Sequence, residues 1–429
     1  MYIPSIETKS QAEIKKFQES LLSGALEYLQ AHSAFYQRFF KAHSVRVESI
    51  KTLEDLAQMP VTTKDDLQAH NGDFVCVDRS KIIDYLTTSG TLGDPVVFPA
   101  TEKDLQRLAY NEYISFTCAG AVPDDVFQLM VTLDRRFMAG MAYYEGIRKL
   151  GAGLVRVGPG NPGLQFDTIK RINPTAFVTV PSFLLKLVEY AEANGIDYRN
   201  TSITKAVCIG ENLRNPDMSL NTLAQRIKEK WDIKLYSTYA STEMGTAFTD
   251  CVYEQGGHHH PEMLIVEFLD ENNMPVKPGE PGEVTVTTLG VEAMPLLRFK
   301  TGDICIHYTD PCPCGRNTMR LGPIIGRTKQ MIKYKGTTLF PPALYDILND
   351  VDGVDNYIVE VSTNAIGTDD IHIKIGTKFH SEVFEKKIKD HFRTKLRVAP
   401  TIELMSPPEV AKLQFPEMSR KSITFIDRR

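Results

Sequence analysis

The chain has 429 residues, more than one ordinary hydrophobic core organises, so a large domain with a smaller companion is expected. Hydrophobic residues make up 42% and charged residues 24%, the balance of a water-soluble globular protein, and a net charge of -5 with both signs interleaved argues against nucleic-acid or membrane-surface partners and for a small molecule. No apolar run approaches the roughly 18 residues that span a bilayer, and the cysteines are odd in number and scattered, which does not spell a disulfide framework.

In chain order, residues 1–40 mix charge with apolar residues at helical spacing and lack a signal-peptide core, so a cytoplasmic protein with reduced thiols is expected. The run Thr87-Thr88-Ser89-Gly90-Thr91-Leu92-Gly93-Asp94-Pro95 combines hydroxyls with glycines. Backbone N–H groups approach a phosphate closely where glycine lacks a Cβ, so the run reads either as a phosphate cradle or as a plain polar turn. From about 126 to 241, short apolar runs alternate with helical patterns, which predicts βα units and a parallel sheet. Between 263 and 288 the pattern changes to strands separated by Pro-Gly turns, which predicts antiparallel structure. Beyond 327 strands near 331–334, 357–361, 371–375 and 401–405 and helices at 341–349 and 381–396 predict a small α+β unit, with the boundary near Lys329. The expected fold is thus α/β, with a large domain at 1–328 and a small one at 329–429.

Several short motifs carry chemistry. Tyr239-Ala240-Ser241-Thr242-Glu243 follows a strand-like run, where open α/β sheets bind ligands; its acid suits a hard cation, and the same letters also spell a helix N-cap. Asp303, in Lys300-Thr301-Gly302-Asp303, can accept from both hydroxyls of a ribose, or be one more Gly-Asp turn. Arg298 and Arg327 are candidates for phosphate and ribose, or surface arginines. Cys251 and His258, with Cys312 and Cys314, offer three thiolates and an imidazole for a closed tetrahedral zinc site, or are unligated buried side chains; His259 or His260 could replace His258.

Taken in order, ending with Gly326-Arg327-Thr328-Lys329 and the basic turn at Lys421, these motifs resemble the adenylate-forming superfamily and, in it, the phenylacetate-CoA ligase branch. The resemblance implies that Thr88, Ser89, Gly90 and Thr91 cradle a triphosphate, that Gly210 and Glu211 form an adenine-contacting turn, and that Tyr239, Ala240 and Ser241 flank the adenine. It implies Thr242 on phosphate oxygens, Glu243 on Mg²⁺, Asp303 and Arg327 on the nucleotide, Lys329 as a hinge and Lys421 as the cation for adenylation. Some of these relatives share the C-x6-H and C-x-C-G-R spelling of the cysteine and histidine cluster, which implies structural Zn²⁺. Three positions depart from the pattern: Val96 where a lysine is frequent, Thr424 where an arginine is, and Glu145 where the acyl-pocket stretch 137–150 usually has an aromatic residue. The implied activity is an ATP-dependent acid-thiol ligase that activates an aromatic, phenylacetate-like acid as acyl-AMP and passes it to CoA. Two other readings stay open: an adenylating enzyme serving a carrier protein or amine, and a non-catalytic zinc-containing ligand-binding relative. A homodimer is also left open.

Overall fold

The computed structural model describes residues 2–88, 95–334, 337–364, 369–416 and 422–429. Ser89, Gly90 and Thr91 of the hydroxyl and glycine run, and Lys421, lie outside the described residues. The chain forms two compact units, Met1–Leu220 with Ala224–Pro323, and Asn221–Leu223 with Ile324–Arg429.

The large unit begins with helices α1 (Gln11–His32), α2 (Ala34–Ala42), α3 (Leu53–Ala57) and α4 (Lys64–His70). Ser10 and Glu13 close a reciprocal capping box at the start of α1, and Ile14, Gln18, Leu22, Leu26 and Leu29 form its buried stripe at helical spacing. The antiparallel hairpin β1 (Asp84–Thr87) and β2 (Val97–Ala100) follows, with Thr87 opposite Val97.

The central part runs α5 (Glu102–Cys118), β3 (Val126–Leu129), α6 (Met138–Leu150), β4 (Gly153–Arg156), α7 (Pro162–Ile172), β5 (Ala176–Thr179), α8 (Pro181–Ala193), β6 (Lys205–Ile209), α9 (Thr222–Lys230), β7 (Lys234–Ser241) and β8 (Thr246–Thr249). Its sheet has the order β4-β3-β5-β6-β7-β8 and is parallel except for β8, which is antiparallel to β7. All four residues of β5 are buried, as expected where helices cover both faces of a parallel sheet. Proline opens α7 and α8, a position where its missing N–H costs no helix bond. The predicted βα alternation is therefore present.

A second sheet holds β9 (Gly257–His258), β10 (Leu264–Leu269), β11 (Pro281–Thr288), β12 (Phe299–Tyr308) and β13 (Arg320–Arg327) in the order β10-β11-β12-β13-β9. The antiparallel pair predicted between 263 and 288 is β10 with β11, and β12 continues it on the other edge of β11.

The small unit contains the hairpin β14 (Ile332–Tyr334) and β15 (Thr337–Leu339), then α10 (Pro341–Asn349), β16 (Asn356–Thr363), β17 (Asp369–Gly376), α11 (Glu382–Leu396), β18 (Thr401–Met405), α12 (Pro407–Gln414) and β19 (Phe425–Asp427). Its sheet order is β18-β17-β16-β19, over a core that includes Leu344, Val359, Ile373, Ile388 and Phe392. The expected α+β character holds. Strand β19 was not anticipated: three residues carry too little alternation to be read, and the parallel pairing of Phe425 with Val359 is what makes them a strand.

Candidate functional site

Strand β7 ends at Ser241, and Thr242–Gly245 turn the chain directly into the antiparallel β8. No helix follows Glu243, so the capping alternative for this motif falls away. Ser241 braces the turn instead: its hydroxyl accepts the Met244 N–H at 3.3 Å and its carbonyl the Gly245 N–H at 3.2 Å. From the other side Arg107 on α5 donates to the carbonyls of Gly245 at 2.7 Å, Leu289 at 2.8 Å and Met263 at 2.7 Å, and to the Thr246 hydroxyl at 3.2 Å. Burial pulls the Arg107 guanidinium down to about 10, which leaves it charged at neutral pH. Thr242 and Glu243 project from this braced turn and line a cavity of about 40 Å³ together with Asp104, Arg107, Leu108 and Met138. Nothing in the local sequence around Arg107 marks it, because its partners lie between 138 and 182 residues away.

Tyr239, two residues before the end of β7, donates its hydroxyl to Asp303 Oδ2 at 2.9 Å, and its ring stacks on Phe248 at 6.0 Å between centroids. Burial, reinforced by the Asp303 carboxylate, drives the Tyr239 phenol well above its ordinary range, so it remains a donor. Asp303 is buried within β12, not in a turn. The strand reaches it through a register shift between Glu283 and Thr285 of β11. The extra residues are on β12, where Thr301, Gly302 and Asp303 face the single Val284 of β11; within this bulge the Gly302 N–H donates to Glu283 at 3.1 Å and the Thr301 hydroxyl donates to the Val284 carbonyl at 2.8 Å. Two motifs far apart in sequence thus share one hydrogen bond.

Thr88 is also described, and its hydroxyl accepts the Val96 N–H at 3.0 Å, closing the base of the β1–β2 hairpin. Val96, where a lysine is frequent, is buried at 2% exposure, a position unsuited to a free cation. Gly210 follows β6 with φ of +75°, a conformation glycine adopts without strain. The Glu211 carboxylate is engaged at the start of α8, where it accepts from the Ser182 N–H and hydroxyl, each at 2.8 Å; burial raises its pKa. Ala240 and Ser241 sit at the last positions of β7.

Arg298 is a correction. Its guanidinium grips both oxygens of Glu267 at 2.9 Å, donates to the Met59 carbonyl and is 1% exposed, so it is a structural ion pair rather than a nucleotide ligand. Arg327 closes β13 in the small unit, with an exposed side chain. Lys329 lies there in the short 3-10 turn Thr328–Gln330, whose Lys329 carbonyl accepts from Arg429 at 3.3 Å. In the stretch 137–150, which forms α6, Glu145 pairs with Arg148 at 3.0 Å and both line a cavity of about 320 Å³ with Leu86, Met138 and Met141.

The cysteine and histidine cluster assembles as expected. One ligand atom each from Cys251, His258, Cys312 and Cys314 lies within 4.8 Å of the others. Cys251 and Cys312 sulfurs are 3.6 Å apart, and Cys314 Sγ is 3.5 Å from His258 Nε2. A tetrahedral ion with metal–ligand bonds of about 2.0–2.3 Å places its ligands roughly 3.5–3.8 Å apart, so the set fits. His258 Nδ1 faces the Thr318 hydroxyl at 3.3 Å, which leaves Nε2 for the ion, while His259 Nε2 meets the Leu264 carbonyl and His260 Nδ1 meets Glu7. The two glycines between Cys251 and His258 are required by close approach: a Cβ on Gly257 would stand 2.5 Å from the Phe248 carbonyl oxygen, and one on Gly256 2.7 Å from that of Leu321. Hydrogen bonding from Cys251, opposed by burial and aided by His258, pulls the Cys314 thiol well below the usual thiol range. Cys118, buried beside the cluster, was not anticipated.

These features define an α/β fold with a small α+β unit. The family described as AMP-binding enzyme matches residues 28–293, more than half of the chain, which belongs to that family. Among characterised relatives, the chain is 28% identical to the phenylacetate-coenzyme A ligase of Thermus thermophilus, over 91% of this chain and 88% of the relative. It is 25% identical to that of Aromatoleum evansii, over 99% and 96%. In fold it is similar to a 2-hydroxyisobutyryl-CoA ligase solved in the postadenylation state, with a TM-score of 0.85, 24% identity and coverage of 100% of this chain and 94% of that one. Among the described residues no helix is long and apolar enough to cross a membrane.

Proposed function

We propose that this chain is an AMP-forming acid-thiol ligase that activates an aromatic, phenylacetate-like carboxylic acid and transfers it to CoA. The observation that carries the reading is the 2.9 Å bond between Tyr239 and Asp303, which joins two segments that resemble motifs of adenylate-forming enzymes, beside the turn that bears Thr242 and Glu243. In the first half-reaction an acid oxygen attacks the α-phosphorus of ATP; a P–O bond forms as the bond to pyrophosphate breaks. In the second, the CoA sulfur attacks the acyl carbon; a C–S bond forms, the C–O bond to AMP breaks and the thiol proton passes to solvent.

Asp303 holds the ribose hydroxyls, Tyr239 orients Asp303 and faces the adenine, and the turn after Gly210 borders the base. Ala240 and Ser241 carry the backbone past the base, and Thr242 donates to phosphate oxygens. Glu243 is the carboxylate that would hold Mg²⁺, which when bound screens the triphosphate charge. By resemblance, Ser89, Gly90 and Thr91 extend the cradle that Thr88 begins, Arg327 serves the nucleotide, and Lys421 supplies positive charge as the carboxylate meets the phosphate. The segment at Lys329 acts as the hinge between an adenylation and a thioester orientation of a mobile small domain.

Zinc held by Cys251, His258, Cys312 and Cys314 completes the reading, contributing folding stability rather than chemistry. Acid-dependent exchange of pyrophosphate into ATP, over a panel of aromatic and aliphatic acids, tests the activity. No exchange with any acid at saturating ATP would leave a non-catalytic ligand-binding protein instead.

A further inference from the structure

The N-terminal segment reaches the metal cluster through a buried chain of charge. Glu7 lies in the short 3-10 turn Ser5–Thr8 and is 0% exposed. One carboxylate oxygen accepts from Arg316 Nε at 2.6 Å and the other meets His260 Nδ1 at 2.5 Å, so both of its oxygens are committed to basic side chains. Arg316, also 0% exposed, directs a second nitrogen to Cys314 Sγ at 3.6 Å. The backbone is joined as well: the Asn317 N–H donates to the Glu7 carbonyl at 2.7 Å, the Asn317 amide to the Thr8 carbonyl at 3.0 Å, and the Gln11 amide to the Asn317 carbonyl. These partners are about 310 positions apart in the chain.

Resting on the zinc reading above, we infer that Glu7 is a positioning residue for the metal centre: through Arg316 it fixes the sulfur of Cys314, so that retention of the ion and docking of the N-terminal turn are one event. Three thiolates around a dication leave the centre with one net negative charge, and a guanidinium against one sulfur offsets it. A buried guanidinium keeps that position only while its other side has a carboxylate. Groups that orient metal ligands in this way typically contribute about 10–100-fold to metal affinity. Ser10, Glu13 and the apolar stripe of α1 account for the start of that helix without Glu7, so the charge on Glu7 is surplus to folding the N-terminal helix.

The test measures zinc release from the full-length protein into excess chelator, read with a chromogenic zinc indicator, for wild type, Glu7→Gln and Leu26→Ala. Leu26 is buried in α1 and stands as a matched destabilised control. Glu7→Gln should release zinc about 10–100-fold faster than wild type, while Leu26→Ala lowers the melting temperature and keeps the wild-type rate. With Co²⁺ in the site, Glu7→Gln should also shift the thiolate-to-cobalt absorption. If Glu7→Gln does not yield folded protein, Glu7→Asp, which keeps the charge and shortens the reach, should show the same acceleration in smaller degree. Wild-type release and an unchanged cobalt spectrum in a metal-bearing variant overturn the proposal and leave the zinc reading intact. Equal acceleration in Leu26→Ala and Glu7→Gln overturns it in favour of general stability. A wild-type protein that holds no zinc overturns the metal reading itself, and this inference with it.

Discussion

The Tyr239 hydroxyl donates to Asp303 Oδ2 at 2.9 Å, tying the end of β7 in the parallel sheet to β12 in the antiparallel one. Because the phenol keeps its proton, Asp303 has one oxygen already engaged and its carboxylate is held in a single orientation. Asp303→Ala should therefore weaken ATP binding sharply, whereas Tyr239→Phe should cost less, about 1.5–3 kcal/mol for one hydrogen bond to a charged group. Calorimetric titration of ATP into each variant decides it. Unchanged affinity for Asp303→Ala would remove that residue from the nucleotide site.

Arg107 is the brace of the Thr242–Glu243 turn, with four acceptors around one planar guanidinium. Arg107→Lys keeps the charge but cannot reach them all, so a loss of stability of about 2–4 kcal/mol is expected from carbonyls left without donors. Adenylation should slow in the same variant, because the turn that carries Glu243 loosens. Thermal unfolding and pyrophosphate exchange measured together check both; wild-type values in each would show that Ser241 alone holds the turn.

Lys421→Ala should reduce acyl-adenylate formation by roughly two or more orders of magnitude, the scale of one transition-state charge contact. Thioester formation from supplied acyl-adenylate and CoA should survive, since the two-orientation scheme turns that lysine away for the second half-reaction. Equal losses in both would count against the scheme. Replacing CoA by a carrier-protein thiol or an amine in the second assay also identifies the acceptor.

Glu112 on α5 is buried, and burial pushes its carboxyl up to about 8 from 4.5. It is therefore neutral in the folded protein at neutral pH and ionised in the unfolded chain. Its contribution to stability is complete below pH 4.5, the unfolded value, and is lost as pH rises through the folded value near 8. Glu112→Gln, which is neutral at every pH, should raise the melting temperature at pH 8 and leave it nearly unchanged at pH 4.5. Equal shifts at both would mean that packing rather than charge sets the effect.

What the amino-acid order determined by itself was local. The alternation between 126 and 241 predicted a parallel sheet, because each βα unit is read from one strand and the helix after it; Cys251 with His258, and Cys312 with Cys314, were each legible as a local pair, but their meeting belongs to the fold. The choice between alternatives was not local. Whether Ser241 and Thr242 capped a helix or bent into β8, and whether Asp303 stood in a turn or in a bulge of β12 against β11, depended on which strand lay beside them. Arg298 was a candidate for phosphate or ribose until β10 supplied Glu267, and nothing in the local sequence set Arg107 or Glu7 apart before distant segments closed over them. A buried charge takes its role from the partner that compensates it, and for these residues that partner lies from 31 to 309 positions away. Residue type and spacing could suggest the chemistry; only the tertiary fold, by deciding which charges lose their water together, gave each of these groups its partner.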